Sequence, residues 1–385
     1  MIVVGAGAVG AATALALAEA GHKVTVLEKE AMPAMHQSGR NSGVIHAGYN
    51  VKPGTEKARY VVEGNREMHQ FCNDQNVAVR RGGILVVAIA EGERATLNEL
   101  QQRAQANGVK IRRVAEVASV EPFATGIDGL HAPEASSVDA VGYVQALQRR
   151  AEAAGAEFLF NTRVRGWKET AAGVEVITNR GKISAPKMWN AAGLWADKIA
   201  QDLAPDLRVV PFRGYYAQIA QPARQKVSSH IYRAPNLEFP FLGVHLSHRT
   251  DGRVFVGPGA LPAFGREAYN FWSMRKDALD SLTWPGAWKM LSNPRVRKLI
   301  ASEMGKSLSL RAMWAEARTL VPTLQRKDLH GGAAAGNRAQ LVDRDGRLVD
   351  DIVVRQTART VHVLNAVSPG LTCSLPFGRA LARYA

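Results

Sequence analysis

The sequence predicts an α/β protein built on a Rossmann-like sheet, and three observations lead to this fold class. The chain opens with a strand, a glycine-rich turn, a helix and a second strand. Two later strands, near residues 187–190 and 360–364, are each followed by a small-residue turn, as expected of strands that return to one sheet. The 385 residues are 46% hydrophobic and 22% charged, which is ordinary for a globular protein and excludes a disordered, collagen-like or coiled-coil chain.

The first element has the glycine spacing of a dinucleotide-binding turn. A strand at residues 1–4 runs into Gly5, Gly7 and Gly10, and a helix rich in alanine and leucine follows and ends at Gly21. Gly5 permits a tight turn, Gly7 lets the backbone approach a pyrophosphate, and Gly10 lets the helix pack closely on the strand. The positive end of the helix then faces the phosphates.

The second strand, residues 23–27, ends at Glu28, which lies 18 residues after Gly10. An acid near this distance binds the adenosine ribose of a dinucleotide, so the complete βαβ unit favours dinucleotide binding over a bare packing motif. Because a folded element begins at Met1, we expect no signal peptide. Four residues make a short first strand, and we therefore expect that a few native residues precede Met1.

A strand in the middle of the chain is predicted to return to the first sheet. Residues 187–193 predict a strand that ends in a small-residue turn at Gly193, and residues 173–177 and 181–184 before it predict a β-meander. A nucleotide-binding turn at the start of so long a chain requires later strands to complete its sheet, which favours FAD over NAD.

A second return lies near the C-terminus. Residues 360–364 predict a strand that leads through Ser368 and Gly370 to a helix at 374–382. A glycine turn before a helix suits the flavin end of FAD, because free N–H groups at the helix start face the ligand. The two returns and the N-terminal turn together predict FAD as the cofactor, with Gly193, Ser368 and Gly370 among its contacts.

Six segments, spread over nearly the whole chain, resemble one enzyme family. They are residues 38–49, 62–66, 210–215, 239–245, 336–340 and 365–369. Their order resembles that of the FAD-dependent oxidoreductases of the D-amino-acid oxidase and glycine oxidase superfamily, and within it the L-2-hydroxyglutarate dehydrogenases/oxidases. The run Asn-Ser-Gly-Val-Ile-His-Ala-Gly at 41–48 is the most selective motif, whereas Asn337 and Val367 depart from the family pattern.

The resemblance implies two interleaved domains. A Rossmann-like FAD-binding domain would comprise residues 1–78, 139–208 and 328–385. An α+β substrate domain, built on a mixed or antiparallel sheet, would comprise residues 79–138 and 209–327. A site shared by two such domains lies at their interface, which is a common place for ligand pockets.

The resemblance also implies a reaction, the oxidation of the C2 alcohol of L-2-hydroxyglutarate to 2-oxoglutarate. The C2 hydrogen would leave as hydride to flavin N5, and the electrons would pass to a quinone or to oxygen. An FAD-dependent amine or amino-acid oxidase of the glycine oxidase type is an alternative, because fold does not imply function. A nucleic-acid-binding flavoprotein is an alternative of another class, although the sequence has no helix-turn-helix, RNP or zinc-finger signature.

Two histidines are candidates for the base that takes the hydroxyl proton. His46 lies in the polar, glycine-flanked run 41–48, near where the family places the isoalloxazine ring. His245 follows an apolar run, at an expected strand end in the substrate domain. A histidine titrates near neutral pH, as a base must. Either residue could instead be an ordinary hydrogen-bonded histidine, so both stay candidates.

A dicarboxylate substrate needs cationic partners, and arginine suits a carboxylate because its planar fork binds both oxygens. Arg338 and Arg213 lie near the two crossovers between the implied domains, which a shared pocket requires. Structural arginines that bridge the domains are the alternative reading. Tyr216 could add a hydroxyl contact, although most tyrosines are packing residues with a hydrogen-bonded tip.

Other polar residues have simpler expected roles. Arg40, Asn41 and Ser42 are expected to contact the flavin or the pyrophosphate. Cys72 and Cys373 are expected to be small packed residues. Because no Cys/His cluster has metal-ligand spacing, we predict no metal.

The chain is strongly basic, with a net charge of +15 and a pI near 10.0. The excess indicates an anionic partner, and composition alone allows nucleic acid, a membrane surface or an acidic small molecule. The motifs favour an acidic substrate, so we expect no nucleic acid. Residues 208–328 hold 19 Lys and Arg against 8 Asp and Glu, with four of the seven tryptophans, Trp272, Trp284, Trp288 and Trp314.

The basic stretch 288–314 interleaves Lys and Arg with Trp and Leu. Such a segment suits an anionic membrane surface, and a solvated helical face is the alternative. No apolar run approaches the ~20 residues of a membrane span. Two cysteines fit a reduced compartment. We therefore expect a cytoplasmic protein, peripheral on the inner face of the cell membrane where this segment contacts lipid.

Overall fold

The computed structural model of the chain describes residues 1–200, 203–237, 243–270, 273–366 and 368–385. Three features singled out in the sequence lie outside the described residues. They are positions 239–242 of one family-like segment, Trp272 and the divergent Val367.

A six-stranded sheet completes the N-terminal unit. Its strands, in order across the sheet, are Val353–Gln356, Thr360–Asn365, Met188–Asn190, Ile2–Val4, Thr25–Leu27 and Glu157–Leu159. The last five are parallel, and Val353–Gln356 pairs antiparallel at the edge. Both predicted returns therefore belong to this sheet, which confirms the Rossmann-like fold class.

Helices and a β-meander bury the two faces of the six-stranded sheet. The helices are Ala8–Glu19, Glu56–Asp74, Ala140–Ala153 and Ser374–Ala382, and the meander strands are Val164–Thr170, Gly173–Thr178 and Gly181–Ala185. Val3 packs with the helices, whereas Ile2 and Val4 pack with the meander. Successive residues of a strand face opposite sides, so a parallel strand covered on both sides must be apolar throughout.

The second main element is a ten-stranded sheet, called the large sheet below. Nine strands follow in the order Leu348–Val349, Leu329–Asp343, Leu207–Ile219, Val254–Gly257, His245–His248, His230–Arg233, Ile84–Ala88, Asp128–Ala132 and Arg112–Val114. Leu261–Pro262 pairs with Leu207–Ile219 beside them. His230–Arg233 and Ile84–Ala88 pair in parallel, whereas the other neighbours are antiparallel, so the sheet is mixed as predicted.

Two long strands of the large sheet pack against the six-stranded sheet, where Leu207 and Leu341 share a buried cluster with Leu364. Leu207–Ile219 and Leu329–Asp343 pair antiparallel over nearly their full length. The predicted domain boundary at residue 328 falls before the second of these strands, so the strand pairing favours a boundary nearer residue 343. The division into domains stays a prediction.

The remaining elements surround this framework. A small sheet joins Val44–Ile45, Ser136–Val138 and Val79–Arg81. Further helices are Arg94–Ala106, Ala196–Ile199, Ala278–Leu282, Pro285–Ser292, Pro294–Leu308 and Leu310–Leu320. Cys72 and Cys373 are free and buried, as predicted. Over the described residues, no helix combines the length and apolar character that a membrane span requires.

Candidate active site

A cavity of about 770 Å³ lies between the carboxyl ends of the parallel strands and the large sheet. Thirteen of the fifteen residues predicted for the site line it, including His46, His245 and Arg338. The two exceptions are Gly10, which packs behind the glycine turn, and Arg213. Residues far apart in sequence therefore meet in one place.

The glycine turn is shaped by close backbone approaches. Gly5 has φ of +101°, and a Cβ there would lie 2.7 Å from the carbonyl oxygen of Ala191. A Cβ on Gly10 would lie 1.9 Å from the carbonyl oxygen of Gly5, so only glycine lets the helix start this close to the strand. A Cβ on Gly7 would enter the space beside Ser38. The tight turn and the close helix start are the features that a dinucleotide-binding turn requires.

Glu28 is buried at the carboxyl end of the second strand. Its carboxylate accepts hydrogen bonds from the backbone N–H groups of Ala6, at 2.8 Å, and Glu30, at 2.9 Å. Each bond uses one oxygen, and each carboxylate oxygen can accept a further hydrogen bond. Glu28 therefore braces the turn and still has capacity for ribose hydroxyls, which fits the predicted cofactor.

A cluster of charged side chains lies at the rim of the nucleotide end. Glu30, His36 and Glu267 could together hold a metal ion by position. The ammonium of Lys29 lies among them, 2.6 Å from Glu267 and 2.7 Å from His36 Nε2, and it also pairs with Glu30. Lys29 thus supplies the positive charge that these carboxylates need.

The loop at residues 37–43 uses many of its polar groups to fix its own shape. The Asn41 amide donates to the carbonyl oxygens of Gln37 and Ser38, at 2.9 and 2.8 Å, and its oxygen accepts from Gly43 N–H at 2.7 Å. These contacts shape the loop, and the cofactor contact of Asn41, which lines the cavity, stays a prediction. Arg40 lines the cavity with its guanidinium 4.1 Å from the Tyr269 ring centroid.

Three predicted cofactor residues lie where backbones approach each other or the cavity. Gly193 has φ of +54°, and a Cβ there would lie 2.7 Å from Gln37 Oε1. A Cβ on Gly370 would lie 1.9 Å from the carbonyl oxygen of Ala366. Ser368 lines the cavity near the start of helix Ser374–Ala382. This turn fits the flavin end of FAD.

His46 follows strand Val44–Ile45 and is buried. Its Nδ1 accepts a hydrogen bond from the Gly48 N–H at 3.0 Å, and its ring stacks on Tyr49 with centroids 5.0 Å apart. Thr372 fixes the backbone by accepting from the His46 N–H at 3.0 Å. Burial, together with the smaller effects of nearby Lys57 and His245, lowers the pKa of His46 to about 4.

His245 begins strand His245–His248 of the large sheet and is buried. Its Nδ1 lies 3.0 Å from the carbonyl oxygen of Gly243, and its ring packs on Tyr232 with centroids 4.1 Å apart. Burial lowers the pKa of His245 to about 4, against the opposing effect of the Gly243 hydrogen bond. Both histidines are therefore neutral near pH 7.

Tyr216 and Tyr232 extend a polar row across the large sheet. Tyr232 pairs directly with His245, and His245 pairs with Gly257 on the next strand. Beyond Gly257 lies Tyr216, whose hydroxyl is hydrogen-bonded to the Ser42 side chain. Burial raises the pKa of Tyr216 to about 12, so this phenol stays protonated. Tyr232 is absent from the sequence prediction, since the run His-Ile-Tyr-Arg at 230–233 has polar side chains on both faces of a strand and does not mark which of them faces a site.

Arg338 lines the cavity from strand Leu329–Asp343. Burial lowers the pKa of its guanidinium, while Asp350 and Tyr216 oppose this shift by their charge. The charges of Arg249 and Arg338 both oppose the rise in the pKa of the Tyr216 phenol. This end of the cavity is thus positive in potential, as a carboxylate requires. Arg249 was missed in the sequence, since nothing local distinguishes it from the many surface arginines.

Arg213 lies on the other side of the large sheet, away from the cavity. It is buried, and its guanidinium donates to the carbonyl oxygens of Ala268 and Asn270. Asn337, which pairs with Arg213 across the sheet, donates to the carbonyl of Arg266 at 2.9 Å. These contacts argue for the structural alternative, so we withdraw Arg213 from the substrate site.

The sequence matches the family described as DAO, FAD dependent oxidoreductase, over residues 1–384. Curated relatives include the L-2-hydroxyglutarate dehydrogenase of Indibacter alkaliphilus, 36% identical over 100% of this chain and 98% of the relative. The enzyme of the same name from Escherichia coli strain K12 is 35% identical over 98% of this chain and 90% of the relative. The mitochondrial one of Homo sapiens is 34% identical over 99% and 87%.

Solved structures show the same overall fold. The L-alpha-glycerophosphate oxidase of Mycoplasma pneumoniae, solved with FAD bound, superposes with a TM-score of 0.78 at 26% identity over 100% of this chain and 93% of that chain. The glycine oxidase of Geobacillus kaustophilus superposes with a TM-score of 0.76 at 17% identity, with the same coverage. At this identity the second match speaks for the fold alone.

Proposed function

The chain belongs to the DAO family of FAD-dependent oxidoreductases, and we propose that it oxidises the C2 alcohol of L-2-hydroxyglutarate to 2-oxoglutarate. Membership of the family confirms the predicted resemblance and FAD as the cofactor. The observation that carries the substrate proposal is a cavity in which Arg338 is joined by two buried, neutral histidines, His46 and His245.

We assign the ends of the cavity by their chemistry. The glycine turn and Glu28 would hold the adenosine and pyrophosphate of FAD, and the Gly370 turn would hold its flavin. When bound, FAD supplies the acceptor that takes the C2 hydrogen as hydride at N5. The protein has to bind the two carboxylates, orient C2 and take the hydroxyl proton.

Arg338 would bind one substrate carboxylate. Its planar fork matches two carboxylate oxygens, and partial burial strengthens such a pair. Tyr216 can donate its hydroxyl to the same group, because its phenol stays protonated. The charge of Arg249 adds to the positive potential around Tyr216, which suits a dianionic substrate better than an amino acid that carries its own cation.

The proposal is tested by anaerobic reduction of the bound flavin. L-2-hydroxyglutarate should bleach the flavin absorbance on the time scale of a single turnover. D-2-hydroxyglutarate and glycine should not bleach it. Bleaching by glycine alone would replace the proposal with the glycine oxidase alternative. Turnover with a quinone analogue and with oxygen, compared in the same preparation, would identify the acceptor.

We further propose that an anionic membrane surface is a partner. Helices Pro285–Ser292 and Pro294–Leu308 carry basic side chains, and apolar side chains nearby are exposed: Trp288 by 61%, Leu279 by 65% and Met274 by 75%. Exposed Trp and Leu beside Lys and Arg are typical of segments that lie on acidic lipid. Such a position, on the cytoplasmic face, would bring the enzyme close to membrane quinone.

Sedimentation with liposomes tests the membrane proposal. The protein should sediment with vesicles that contain phosphatidylserine at low salt and be released at high salt, because the attraction is largely electrostatic. Trp288→Ala should weaken this binding. Phe123→Ala is the matched control, since Phe123 is also an exposed aromatic residue but lies elsewhere. Failure of the unmodified protein to sediment at low salt would end the proposal.

A further inference from the structure

His46 lines the cavity, and one hydrogen bond fixes its tautomer. Its Nδ1 lies 3.0 Å from the backbone nitrogen of Gly48. A backbone N–H can only donate, so Nδ1 must accept this bond and carries no proton. In the neutral ring the proton is then on Nε2. The ring nitrogen of His46 that remains available to a ligand is therefore an N–H group.

His245 has the opposite tautomer. Its Nδ1 lies 3.0 Å from the carbonyl oxygen of Gly243. A carbonyl can only accept, so Nδ1 carries the proton, and Nε2 of the neutral ring carries a lone pair. The ring nitrogen of His245 that remains available to a ligand is therefore an acceptor, and the two histidines, which line one cavity, are complementary in polarity.

Both Nε2 atoms are buried, and neither has a hydrogen-bond partner within the described part of the chain. An alcohol oxygen donates one hydrogen bond and accepts others, so one acceptor and one donor satisfy it. Building on the proposed function, we propose that His245 Nε2 takes the C2 hydroxyl proton of the substrate, while the His46 Nε2–H group donates to the same oxygen and positions it.

The step balances with the established cofactor. The substrate O–H bond breaks and an N–H bond forms on His245. The electron pair of the C2–H bond leaves as hydride to FAD, and the C2–O bond becomes a carbonyl. The product oxygen can only accept, and it is then matched by two donors, His46 and the protonated His245. The pair of histidines thus suits the alcohol before the reaction and the ketone after it.

The same pair discriminates alcohols from amines. A protonated amino group has only donors, so it would satisfy His245 but face the N–H group of His46 with no lone pair. A buried donor left without a partner weakens binding, by about tenfold or more on the usual scale. The tautomer of His46 therefore selects a hydroxy acid over the corresponding amino acid.

The surroundings of His245 keep it neutral before substrate binds. Tyr232 packs on its ring, and burial lowers the pKa of His245 to about 4. Tyr216 lies across Gly257 on the neighbouring strands, with its phenol protonated. A dianionic substrate brings negative charge close to His245, and it favours the imidazolium that forms as His245 takes the proton.

The experiment follows flavin reduction by L-2-hydroxyglutarate in single turnovers of the holoenzyme, as a function of pH. The unmodified protein should show a rate plateau above the acid limb. In His245→Gln the rate at pH 7 should fall about 10²- to 10⁴-fold. The logarithm of the rate should then rise with unit slope against pH, because hydroxide has to replace the lost base. His46→Gln keeps an amide donor and should keep the plateau, with a weaker substrate affinity.

His230→Gln is the matched control, because His230 is buried on the same sheet but does not line the cavity. It should keep both the plateau and the affinity. The assignment would be overturned if the logarithm of the rate rose with unit slope against pH in His46→Gln but reached a plateau in His245→Gln. It would also be overturned if both variants kept the plateau. If the unmodified protein is not reduced at all, the proposed function fails and this step fails with it.

Nitrogen-15 NMR of the histidines in the substrate-free holoenzyme distinguishes a failure of the histidine assignment from a failure of the proposed function. The spectrum should show the Nε2–H tautomer for His46 and the Nδ1–H tautomer for His245, assigned by the Gln variants. The reverse pattern would overturn the division of roles even if L-2-hydroxyglutarate is oxidised.

Discussion

Gly257 lies directly opposite His245 in the large sheet and separates it from Tyr216. The backbone of Gly257 has φ of +139°, and a Cβ built there would lie 2.5 Å from the carbonyl oxygen of Tyr215 and 3.1 Å from the Tyr216 ring. Only glycine therefore lets the two strands approach this closely, and this close pairing sets the position of Tyr216 relative to His245.

Gly257→Ala should push strand Leu207–Ile219 away and shift Tyr216 relative to His245. We expect KM for L-2-hydroxyglutarate to rise by about tenfold or more, since a small misplacement of groups that bind the substrate has an effect of at least this size. The positive φ should also lower stability by about 1–3 kcal/mol. Gly252→Ala is the control, because Gly252 also has a positive φ, of +79°, but a Cβ there meets open space. A KM that changes equally in both variants would show that the close pairing at Gly257 does not position the substrate site.

Arg338 and Arg213 should respond differently to the same substitution. Arg338→Ala should raise KM for L-2-hydroxyglutarate with the flavin retained, because it removes a partner of a carboxylate. Arg213→Ala should instead lower the free energy of unfolding by about 1–3 kcal/mol, since the carbonyls of Ala268 and Asn270 lose buried donors. Urea titration and steady-state kinetics of both variants check this. A stable Arg213→Ala with a raised KM would restore Arg213 to the site.

The contrast between these arginines shows where sequence reasoning succeeds and where it ends. On strand Leu207–Ile219, Phe212, Gly214 and Tyr216 line the cavity, whereas Arg213 faces the other side. Side chains alternate along a strand, and shifting the register by one residue exchanges the two faces. The sequence places Arg213 near a crossover but does not show which face of the strand lines the cavity.

Local spacing, in contrast, predicts the nucleotide end well. Gly5, Gly10 and Glu28 act through turns and contacts within one βαβ unit, so their spacing determines their geometry. The tautomers of the two histidines depend on which backbone group meets each Nδ1. That contact is set by the loop conformation at residues 46–48 and 243–245, which composition and periodicity do not encode.

Buried neutral histidines should make the protein less stable in acid. Burial lowers the pKa of His46, His245 and His362 to about 4 and that of His230 to about 3. In the unfolded chain they protonate near 6.5, so the unfolded state binds more protons as pH falls from 6.5 to 4. The free energy of unfolding should therefore be highest above pH 6.5 and decline over this range.

Urea titrations at pH 7.5, 6, 5 and 4 measure this decline. His362→Gln removes one contributor that lies outside the cavity, so its decline should be shallower than that of the unmodified protein. Equal slopes in the two proteins would show that His362 keeps an ordinary pKa in the folded state.

The ion pair of Arg266 and Asp197 should contribute strongly to stability. The guanidinium and the carboxylate are 1% and 0% exposed and share two hydrogen bonds, of 2.6 and 2.9 Å. Arg266→Ala leaves a buried carboxylate without its cation, and we expect a loss of about 3–5 kcal/mol. Arg253→Ala is the matched control, because Arg253 pairs with Asp251 at the surface, where such pairs contribute about 0–1 kcal/mol. Losses of similar size would show that Asp197 finds another partner.

Glu28→Gln should weaken FAD binding without unfolding the protein. The new amide keeps one acceptor oxygen but turns an NH₂ group toward the N–H groups of Ala6 or Glu30, which Glu28 now binds. A charged hydrogen bond contributes about 1.5–3 kcal/mol, so we expect the Kd for FAD to rise about 10- to 100-fold. Titration of the apoprotein, followed by flavin fluorescence, measures this Kd. Glu63→Gln, at a surface pair with Arg379, should leave it unchanged. If both variants bind FAD equally well while their melting temperatures also agree, Glu28 does not contact the ribose and its part in bracing the turn is dispensable.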